Sequence, residues 1–259
     1  RRIFPKLSWI HIKVQDFIMG IFMRKCDICI SLTGYVYAPR IAQKKGAIII
    51  MERGSKHILE QKKILEKNPH KKNEAIPNRN IKCNLKAYQF ANFISVASQH
   101  VKESFLLHQY PENRIFVNPY GVDLSMFKPL PNIPKKYDVI MVGGWGYEKG
   151  CDLIVEAIRK TNYSFIHVGS IKDVDFPQEK NFTHIDPVDQ SKLIEYYNQA
   201  KVFILPSRQD GFGMVLSQAL ACNLPIIGSN NCGAPDLKKM VELPEYITII
   251  KDYTADAIV

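Results

Sequence analysis

Short apolar segments alternate with amphipathic segments along the chain, and this alternation constrains the fold more than any other feature. The apolar segments are rich in Ile, Val and Phe and end in turn residues, which is typical of buried strands. In order they are CDICISL, AIIIM, FISVAS, IFVNP, YDVIMVGG, SFIHVGS, FTHIDP, KVFILPS and PIIGS. Strands that alternate with helices pair in parallel. The sequence therefore predicts an α/β protein with two doubly wound sheets, one in each half.

The amphipathic segments predict the intervening helices, because their apolar residues recur near helical spacing. These helices are YAPRIAQKKG, KHILEQKKILEKN, NLKAYQF, SQHVKESFLLHQ, KGCDLIVEAIRK, DQSKLIEYYNQA and MVLSQALACN. Residues 67–82, in contrast, are polar and basic, and we expect them to be exposed.

A proline-rich stretch without periodic apolar residues separates the two halves and predicts an interdomain linker over 120–136. It divides the chain into an N-terminal domain, 1–119, and a C-terminal domain, 137–259. The chain begins without Met, and both of its ends look cut. We therefore expect an incomplete N-terminal domain and a missing C-terminal tail.

Composition excludes several classes of protein. No run of about 18 apolar residues occurs, so no transmembrane helix is predicted, and the start of the chain lacks the apolar core of a signal peptide. Cys26 and Cys29 form a C-x-x-C, but no second pair follows at zinc-site spacing. The cysteines are therefore interpreted as free thiols in a reducing cytosol, and no metal or cofactor is expected.

Charge is unevenly distributed between the halves. Residues 1–136 carry 24 Lys/Arg against 9 Asp/Glu, whereas residues 137–259 carry 11 against 16. The basic half favours an anionic membrane surface as a partner, with a solvated lysine-rich face as the alternative. Nucleic acid is not expected, because aromatic-basic motifs are absent. The residues that would face the membrane are Lys56, Lys62, Lys63, Lys67, Lys71, Lys72, Arg79, Lys82 and Lys86.

Three predicted strands of the second half end in glycine-rich turns, VGGWGYEKG, HVGS and PSRQDGFG. In open α/β sheets, ligands bind beyond the carboxyl ends of the strands. Glycines there allow backbone N–H groups to approach a ligand, and a helix start favours phosphate. Lys149 could complete a diphosphate site, while Gly211 and Gly213 clear space for an anionic ligand.

Asp210 and Gln218 are spaced for a role in the same site. Gln218 lies seven residues beyond Gly211, close to two helical turns, so both face the same side. Asp210 could accept hydrogen bonds from sugar hydroxyls, and Gln218 could bond a diol. The alternative is a tight strand–helix turn with Gln218 bonded internally, and spacing alone does not choose between them.

The longer segments then show a resemblance. VNPYGVDLSMFKP, VGGWGYEKGCDLIVEA, AKVFILPSRQDGFGMVLSQALACNLPII and NCGAPDL follow one another in the order found in nucleotide-sugar glycosyltransferases of family 4. MERGSKHILEQ and FISVASQHVKESF resemble bacterial members. The resemblance implies the GT-B fold, in which two Rossmann-like domains face a cleft. It also implies metal-independent transfer with retention of anomeric configuration.

The resemblance also implies roles for individual residues. Asp210 and Gln218 match the two glutamates of the family's Glu–seven residues–Glu pattern, which hold the donor sugar and the ribose. Lys149 would bind the donor phosphates, and Asp210 and Lys149 are the predicted catalytic residues. The other donor-binding residues implied are Gly143 and Gly144 at the phosphates, Gly169 near the base, Gly211, and Phe212 and Gly213 near sugar and phosphate.

The chain departs from the family pattern at three of these positions. Asp210 has a shorter reach than Glu, and Gln218 loses charge-assisted hydrogen bonding, at a cost of about 1 kcal/mol. Gly144 replaces an arginine of many members, so phosphate binding depends on Lys149 or on the nearby Arg208.

On the acceptor side, Arg53 and His57 follow the strand AIIIM and would face the cleft. The alternative for His57 is a helix-capping or surface role. The lysines around it are expected to disfavour its protonation. Asp173 and Asp175 form a D-x-D triplet, but they lie in a polar loop and are not assigned to a metal. GGWGYEKG fits neither the dinucleotide-binding nor the P-loop fingerprint, so the sequence does not predict a dehydrogenase.

The sequence thus predicts a cytoplasmic glycosyltransferase that moves a hexose from a nucleotide diphosphate sugar to a glycan or lipid-linked acceptor. Cell-surface polysaccharide or lipopolysaccharide synthesis is the expected setting, with peripheral attachment to the inner face of the membrane. Two alternatives stay open: a catalytically weak nucleotide-sugar-binding subunit, and a GT-B sugar-nucleotide epimerase.

Overall fold

A computed structural model describes residues 5–70 and 76–259. In the first half, the described strands form one parallel sheet in the order β1-β2-β3-β4. The elements are α1 (Pro5–Ile21), β1 (Ile28–Leu32), α2 (Tyr37–Lys44), β2 (Ile48–Arg53), α3 (Ile58–Glu66), α4 (Asn78–Phe90), β3 (Phe93–Val96), α5 (Gln99–Leu106) and β4 (Ile115–Val117).

The second half contains a larger parallel sheet, in the order β10-β9-β8-β5-β6-β7. Its strand order reverses direction beside β5, so the crevice beyond the carboxyl ends of β5 and β8 is the expected ligand position. The elements are β5 (Tyr137–Val142), α6 (Cys151–Thr161), β6 (Phe165–Val168), β7 (Phe182–Ile185), α7 (Gln190–Asn198), β8 (Ala200–Leu205), α8 (Met214–Ala221), β9 (Ile226–Ser229), α9 (Ala234–Met240) and β10 (Ile247–Ile250).

Each sheet has its own apolar core. The first core gathers buried side chains of β2, β3 and α5, among them Met51, Ile94 and Phe105. The second is larger and is centred on residues such as Ile140 and Phe203. This arrangement confirms the predicted α/β class, since apolar segments of the two halves became parallel strands with helices between them.

One face of the first sheet carries exposed apolar side chains. They project from alternate positions of neighbouring strands, as the two-residue side-chain period of a strand requires. The members are Ile28, Ile30, Leu32, Ile48, Phe93 and Phe116. In the described part of the chain, no helix is long and apolar enough to cross a membrane.

Two helices were not predicted, and one local prediction was wrong. Helix α1 was not predicted, and neither was the short α9. The stretch 67–82 is not uniformly exposed, because Asn68 and Ile81 are buried and α4 already begins at Asn78. Residues 71–75 of that stretch, with Lys71 and Lys72, lie outside the described residues.

The stretch predicted as a linker contains neither helix nor strand, and much of it is attached to the second half. The ring of Phe127 is buried in the second core, with its centroid 6.0 Å from that of Tyr197. The Leu130 N–H donates to Asn198 Oδ1 at 2.8 Å, and the Lys136 N–H donates to the Gln199 carbonyl at 2.8 Å.

Candidate active site between the two sheets

A cavity of about 310 Å³ lies where the carboxyl ends of β5 and β8 meet residues of the first half. Gly54, which follows β2, comes from the first half, and Tyr120, which follows β4, is the first residue of the stretch predicted as a linker. The complete lining is Gly54, Tyr120, Val142, Gly143, Lys149, Leu205, Asp210, Phe212, Gly213, Met214 and Val215. The parallel topology thus brings glycine turns, a lysine and a carboxylate to one crevice.

Lys149 and Asp210 form an ion pair at this cavity. Lys149 ends a short 3-10 turn before α6, and Asp210 lies in the loop between β8 and α8. Their Nζ and Oδ2 atoms are 2.5 Å apart, and the side chains are 17% and 19% exposed. Each charge is therefore held in place by the other, and an anionic ligand that binds Lys149 would release Asp210 to accept a hydrogen bond from a hydroxyl.

The turn before α8 brings backbone groups to the same cavity. Gly213 adopts φ +78°, a left-handed conformation that favours glycine, and it directly precedes the helix. Phe212 is buried, and its ring meets that of Tyr120 edge-on at 5.9 Å. The first N–H groups of α8 lack partners within the helix and carry the positive end of its dipole. Met214 and Val215, the first residues of α8, line the cavity.

Gly143 and Gly169 pack backbone against backbone. Gly169 has φ +149°, and a Cβ at this position would overlap the Gly143 carbonyl oxygen. Gly143 itself has φ +128° and lines the cavity. Gly169 does not line it, so its close approach to Gly143 accounts for the glycine without a ligand.

Gly144 leaves room for a cation that sequence reasoning did not single out. A Cβ at Gly144 would overlap Cε of Lys172, and the Lys172 Nζ lies 2.8 Å from that Cβ position. The Lys172 side chain therefore crosses the space that a larger residue at 144 would occupy. Lys172 comes from the loop after β6, and its distance from Gly144 in the sequence hides the relationship.

The carbonyl oxygen of Gly143 accepts a hydrogen bond from a buried histidine. His167 Nε2 lies 2.8 Å from it, and because a carbonyl only accepts, Nε2 carries the proton. Burial, with a smaller contribution from His184, lowers the pKa of His167 to about 4. His167 is therefore neutral near pH 7, and its Nδ1, 2.9 Å from His184 Nδ1, accepts. Sequence reasoning did not identify His167 and its hydrogen bonds, because His167 belongs to an apolar strand segment.

Gln218 and Arg208 are engaged inside the protein. Gln218 is buried in α8, and its Oε1 accepts from the hydroxyl of Tyr197 at 2.9 Å. Arg208 makes a bidentate pair with Asp152 at 2.6 and 2.7 Å, and its guanidinium stacks 3.9 Å from the ring centroid of Tyr147. Neither residue lines the cavity, in contrast to Lys149 and Asp210.

Arg53 and His57, the acceptor-side candidates, pack within the first half. Arg53 donates to the Lys56 carbonyl, to Asn84 Oδ1 and to Gln61 Oε1 at 3.0, 3.1 and 2.6 Å. These bonds tie the loop after β2 to α3 and α4. Neither Arg53 nor His57 lines the cavity between the sheets.

His57 caps α3, and its Nδ1 accepts from the Leu59 N–H at 3.4 Å. Its ring is buried and stacks on His108 at 4.1 Å. The expected resistance to protonation is confirmed in direction, since the pKa of His57 is lowered to about 3. Burial is the largest cause, followed by the charges of His108 and Arg53, so the lysines were not the main reason.

Among residues 5–70 and 76–259, no group of three or more His, Cys, Asp and Glu side chains is arranged to hold a metal ion. Asp173 accepts hydrogen bonds from the Tyr147 N–H and from Asn68 Nδ2, both at 2.9 Å. Metal independence stays a prediction from the resemblance.

The protein thus has two parallel β-sheets with connecting helices that face one cavity, and glycine turns and a lysine–carboxylate pair lie on the wall of that cavity. This architecture defines a GT-B protein. The chain belongs to the family "glycosyl transferases group 1", whose model matches residues 125–259, more than half of its length.

The chain is similar to several known proteins. It shares 25% identity over 178 residues with a probable sucrose-phosphate synthase of Thermosipho melanesiensis, which covers 58% of this chain and 42% of that protein. Sucrose-phosphate synthase from Thermosynechococcus elongatus matches with a TM-score of 0.69 and 17% identity, over 98% of this chain and 69% of that one. HepE of Anabaena, solved with UDP and glucose, matches with a TM-score of 0.71 and 14% identity, over 100% and 72%.

These solved structures establish the fold. The alignments with the first three curated relatives span 30–42% of the lengths of those proteins.

Proposed function

We propose that this protein transfers a hexose from a nucleotide diphosphate sugar to a glycan or lipid-linked acceptor. The observation that carries the proposal is the Lys149–Asp210 pair, which lies on a cavity between the sheets beside the start of α8. Membership of the group 1 family supports the reaction class. The UDP and glucose bound to HepE support a donor of this kind.

The proposed chemistry begins with binding of the donor diphosphate by Lys149 and by the first N–H groups of α8. Negative charge grows on the diphosphate as the bond to the sugar breaks. Groups that are already oriented toward that charge stabilise the transition state without reorganisation. Displacement of Asp210 from Lys149 by the diphosphate would free the carboxylate to accept from a sugar hydroxyl.

Retention of configuration and metal independence belong to the same proposal and come from the family resemblance. In a front-face reaction the acceptor hydroxyl attacks from the side that the diphosphate leaves. Such a reaction needs no protein nucleophile, and the departing phosphate oxygen can take the acceptor proton.

A nucleotide-sugar-binding subunit is the second candidate, and a specific observation favours it. Gln218 and Arg208 are both held by internal partners, Tyr197 and Asp152, so fewer side chains are free to meet the donor. Such a subunit would bind the donor and would not turn it over.

The proposal also includes a location, in the cytoplasm beside a membrane. Arg79, Lys82 and Lys86 are exposed on α4 at spacings of three and four residues, which places them on one helix face. Lys56 differs from them, because it is partly buried and donates to Asn231 Oδ1 of the second half at 2.6 Å.

A donor panel tests the proposed reaction. The full chain is incubated with UDP-, GDP- and ADP-sugars and with glycan and lipid-linked acceptors, and both the released nucleotide and the sugar product are measured. Transfer to an acceptor supports the enzyme. Donor binding without turnover supports the binding subunit, and an altered free sugar indicates an epimerase. Absence of both binding and turnover with every donor contradicts the proposal.

A further inference from the structure

Two side chains at the start of α5 reach across the cleft to the loop that carries Asp210. Ser98 Oγ donates to the carbonyl oxygen of Gly211 at 2.5 Å, and His100 Nε2 lies 2.8 Å from the carbonyl oxygen of Asp210. Both residues are buried. The first half therefore contacts the backbone at and beside Asp210.

Ser98 does not have the local role that its position suggests. It occupies the N-cap of α5, where a serine hydroxyl ordinarily accepts from a backbone N–H of its own helix. No such capping bond forms, and the hydroxyl is directed at Gly211 in the other half. The side chain is thus used across the cleft, and its removal would cost α5 no capping bond.

His100 has one protonation state that suits its partners near pH 7. Burial is the main reason why the pKa of His100 is lowered to about 4, and the charge of Lys56 adds to it. The neutral ring has one N–H, and the Asp210 carbonyl can only accept, so the proton is on Nε2. Nδ1 then carries no proton, and the single proton of the Ser98 hydroxyl, whose Oγ lies 2.9 Å away, is donated to the Gly211 carbonyl.

The backbone of Asp210 is held on both sides. Its N–H donates to the carbonyl of Asn231 at 2.9 Å, while its own carbonyl faces His100. Asn231 in turn accepts from Lys56 through Oδ1. Beside it, a Cβ on Gly211 would overlap the Gly54 carbonyl oxygen, so the backbones of the two halves are in close contact next to Asp210.

We propose that Ser98 and His100 are positioning residues that align the Asp210 carboxylate for the donor when the two halves close. If the halves separate, the Asp210 and Gly211 carbonyls lose these donors, and the loop is free to rotate the carboxylate away from Lys149. Closure and completion of the donor site are then one event. The inference rests on the proposed function, in which Asp210 binds the donor sugar.

Four variants of the full chain test it. His100→Phe removes the N–H donor and keeps a ring, whereas His100→Gln keeps an amide donor. Ser98→Ala removes the hydroxyl. Lys102→Ala is the matched control on α5, because Lys102 pairs with Glu112 of the first half and not with the loop that carries Asp210. For each variant, kcat and the donor KM are measured, together with calorimetric binding of the nucleoside diphosphate and hydrogen exchange of the amides of residues 210–214.

For His100→Phe and Ser98→Ala we expect kcat to fall about 10- to 100-fold, the size of effect that misplacement of a reacting group produces. Nucleoside diphosphate affinity should stay within about twofold, because Lys149 is untouched, and exchange of the 210–214 amides should quicken about tenfold. His100→Gln should recover most of kcat, and Lys102→Ala should match the unmodified protein. A purely structural role for His100 would lower stability without this selective loss of kcat.

Unchanged exchange of the 210–214 amides in folded His100→Phe and Ser98→Ala would overturn the inference. So would an unchanged kcat in these variants. If the unmodified protein neither binds nucleoside diphosphates nor transfers sugar, the proposed function fails separately. The exchange measurement would still decide whether the two side chains hold the loop.

Discussion

The ammonium of Lys149 and the carboxylate of Asp210 are 2.5 Å apart on the wall of the cavity between the two sheets. Each is mostly buried, and each arises from a different loop of the second sheet. An anionic donor would compete with Asp210 for Lys149, so this pair links phosphate binding to release of the carboxylate.

Replacement of Lys149 by alanine tests the phosphate role. We expect Lys149→Ala to lower kcat/KM. The loss should correspond to about 2–4 kcal/mol of transition-state stabilisation, the size found when one oriented donor is lost. Steady-state kinetics with the best donor of the panel measures this. Lys201→Ala is the control, because it removes an ion pair with Asp138 on the surface. A Lys149→Ala enzyme with unchanged kcat/KM would contradict the assignment.

Gln218 gives a second prediction, with a test that separates ligand contact from packing. If Gln218 bonds the ribose, Gln218→Ala raises the donor KM more than it lowers kcat, because the contact exists before reaction. The substitution also leaves the fully buried hydroxyl of Tyr197 without its hydrogen-bond acceptor, which should cost roughly 1–3 kcal/mol of stability. Tyr197→Phe is the matched control, since it keeps the Gln218 amide. Equal KM increases in the two variants would indicate a structural effect alone.

Gly169 is predicted to be intolerant of any side chain. Gly169→Ala combines φ +149° with overlap on the Gly143 carbonyl, so we expect a loss of roughly 2–4 kcal/mol in the free energy of unfolding. Gly34→Ala is the control, because a Cβ there meets nothing within 4 Å. Urea denaturation measures both. Equal stability of the two variants would mean that the backbone of Gly143 shifts readily to accommodate a side chain at position 169.

Stability is predicted to fall on mild acidification. The pKa values of His57, His100 and His167 are lowered to about 3, 4 and 4. Between about pH 6.5 and 4 the unfolded chain binds protons that the folded protein does not. The stabilisation is therefore complete above pH 6.5 and is lost as the pH falls.

His167→Gln isolates one of these contributions, because the amide can still donate to Gly143. The drop in unfolding free energy between pH 7.5 and pH 5 should shrink by roughly 1–2 kcal/mol. Urea denaturation at the two pH values measures this. An unchanged pH dependence would show that His167 titrates normally.

The basic face of α4 is predicted to bind anionic membranes. The triple variant Arg79→Glu, Lys82→Glu and Lys86→Glu should lose co-sedimentation with anionic vesicles at low salt, since each basic residue contributes about 1 kcal/mol near such a surface. High salt should release the unmodified protein too. Charge reversal of Lys160 and Lys201 in the second half is the control. Binding that is equal for neutral and anionic vesicles would leave these residues as solubilising surface.

The alternation of strands and helices was enough to predict the fold class, because the strands of parallel sheets are continuous apolar segments connected by amphipathic helices. The glycine turns and Lys149 were predictable for a related reason, since the carboxyl ends of such strands meet at one edge. Asp210 could be placed there too, as it lies in the loop that follows β8.

The contacts made by the other candidates could not be predicted. The partners of Gln218 and Arg208 lie 21 and 56 residues away, and the farthest partner of Arg53 lies 31 residues away. No local pattern encodes those pairings. His100 and Lys172 were missed for the same reason. Each contacts a glycine-rich turn that is distant in the sequence, and nothing in the sequence of that turn indicates the contact.

The anchoring of Phe127 in the second core sets where the two halves can turn against each other. Residues 127–136 travel with the second sheet, and the Asn118 N–H is bonded to the Val96 carbonyl of the first sheet at 2.7 Å. The segment between these two anchors is residues 119–126, and within it Val122 and Met126 also pack against the second core. Tyr120 belongs to this short segment and also lines the cavity. A rotation of one half against the other about this segment would therefore change the width of the cavity, because the connection between the halves also forms part of the cavity wall.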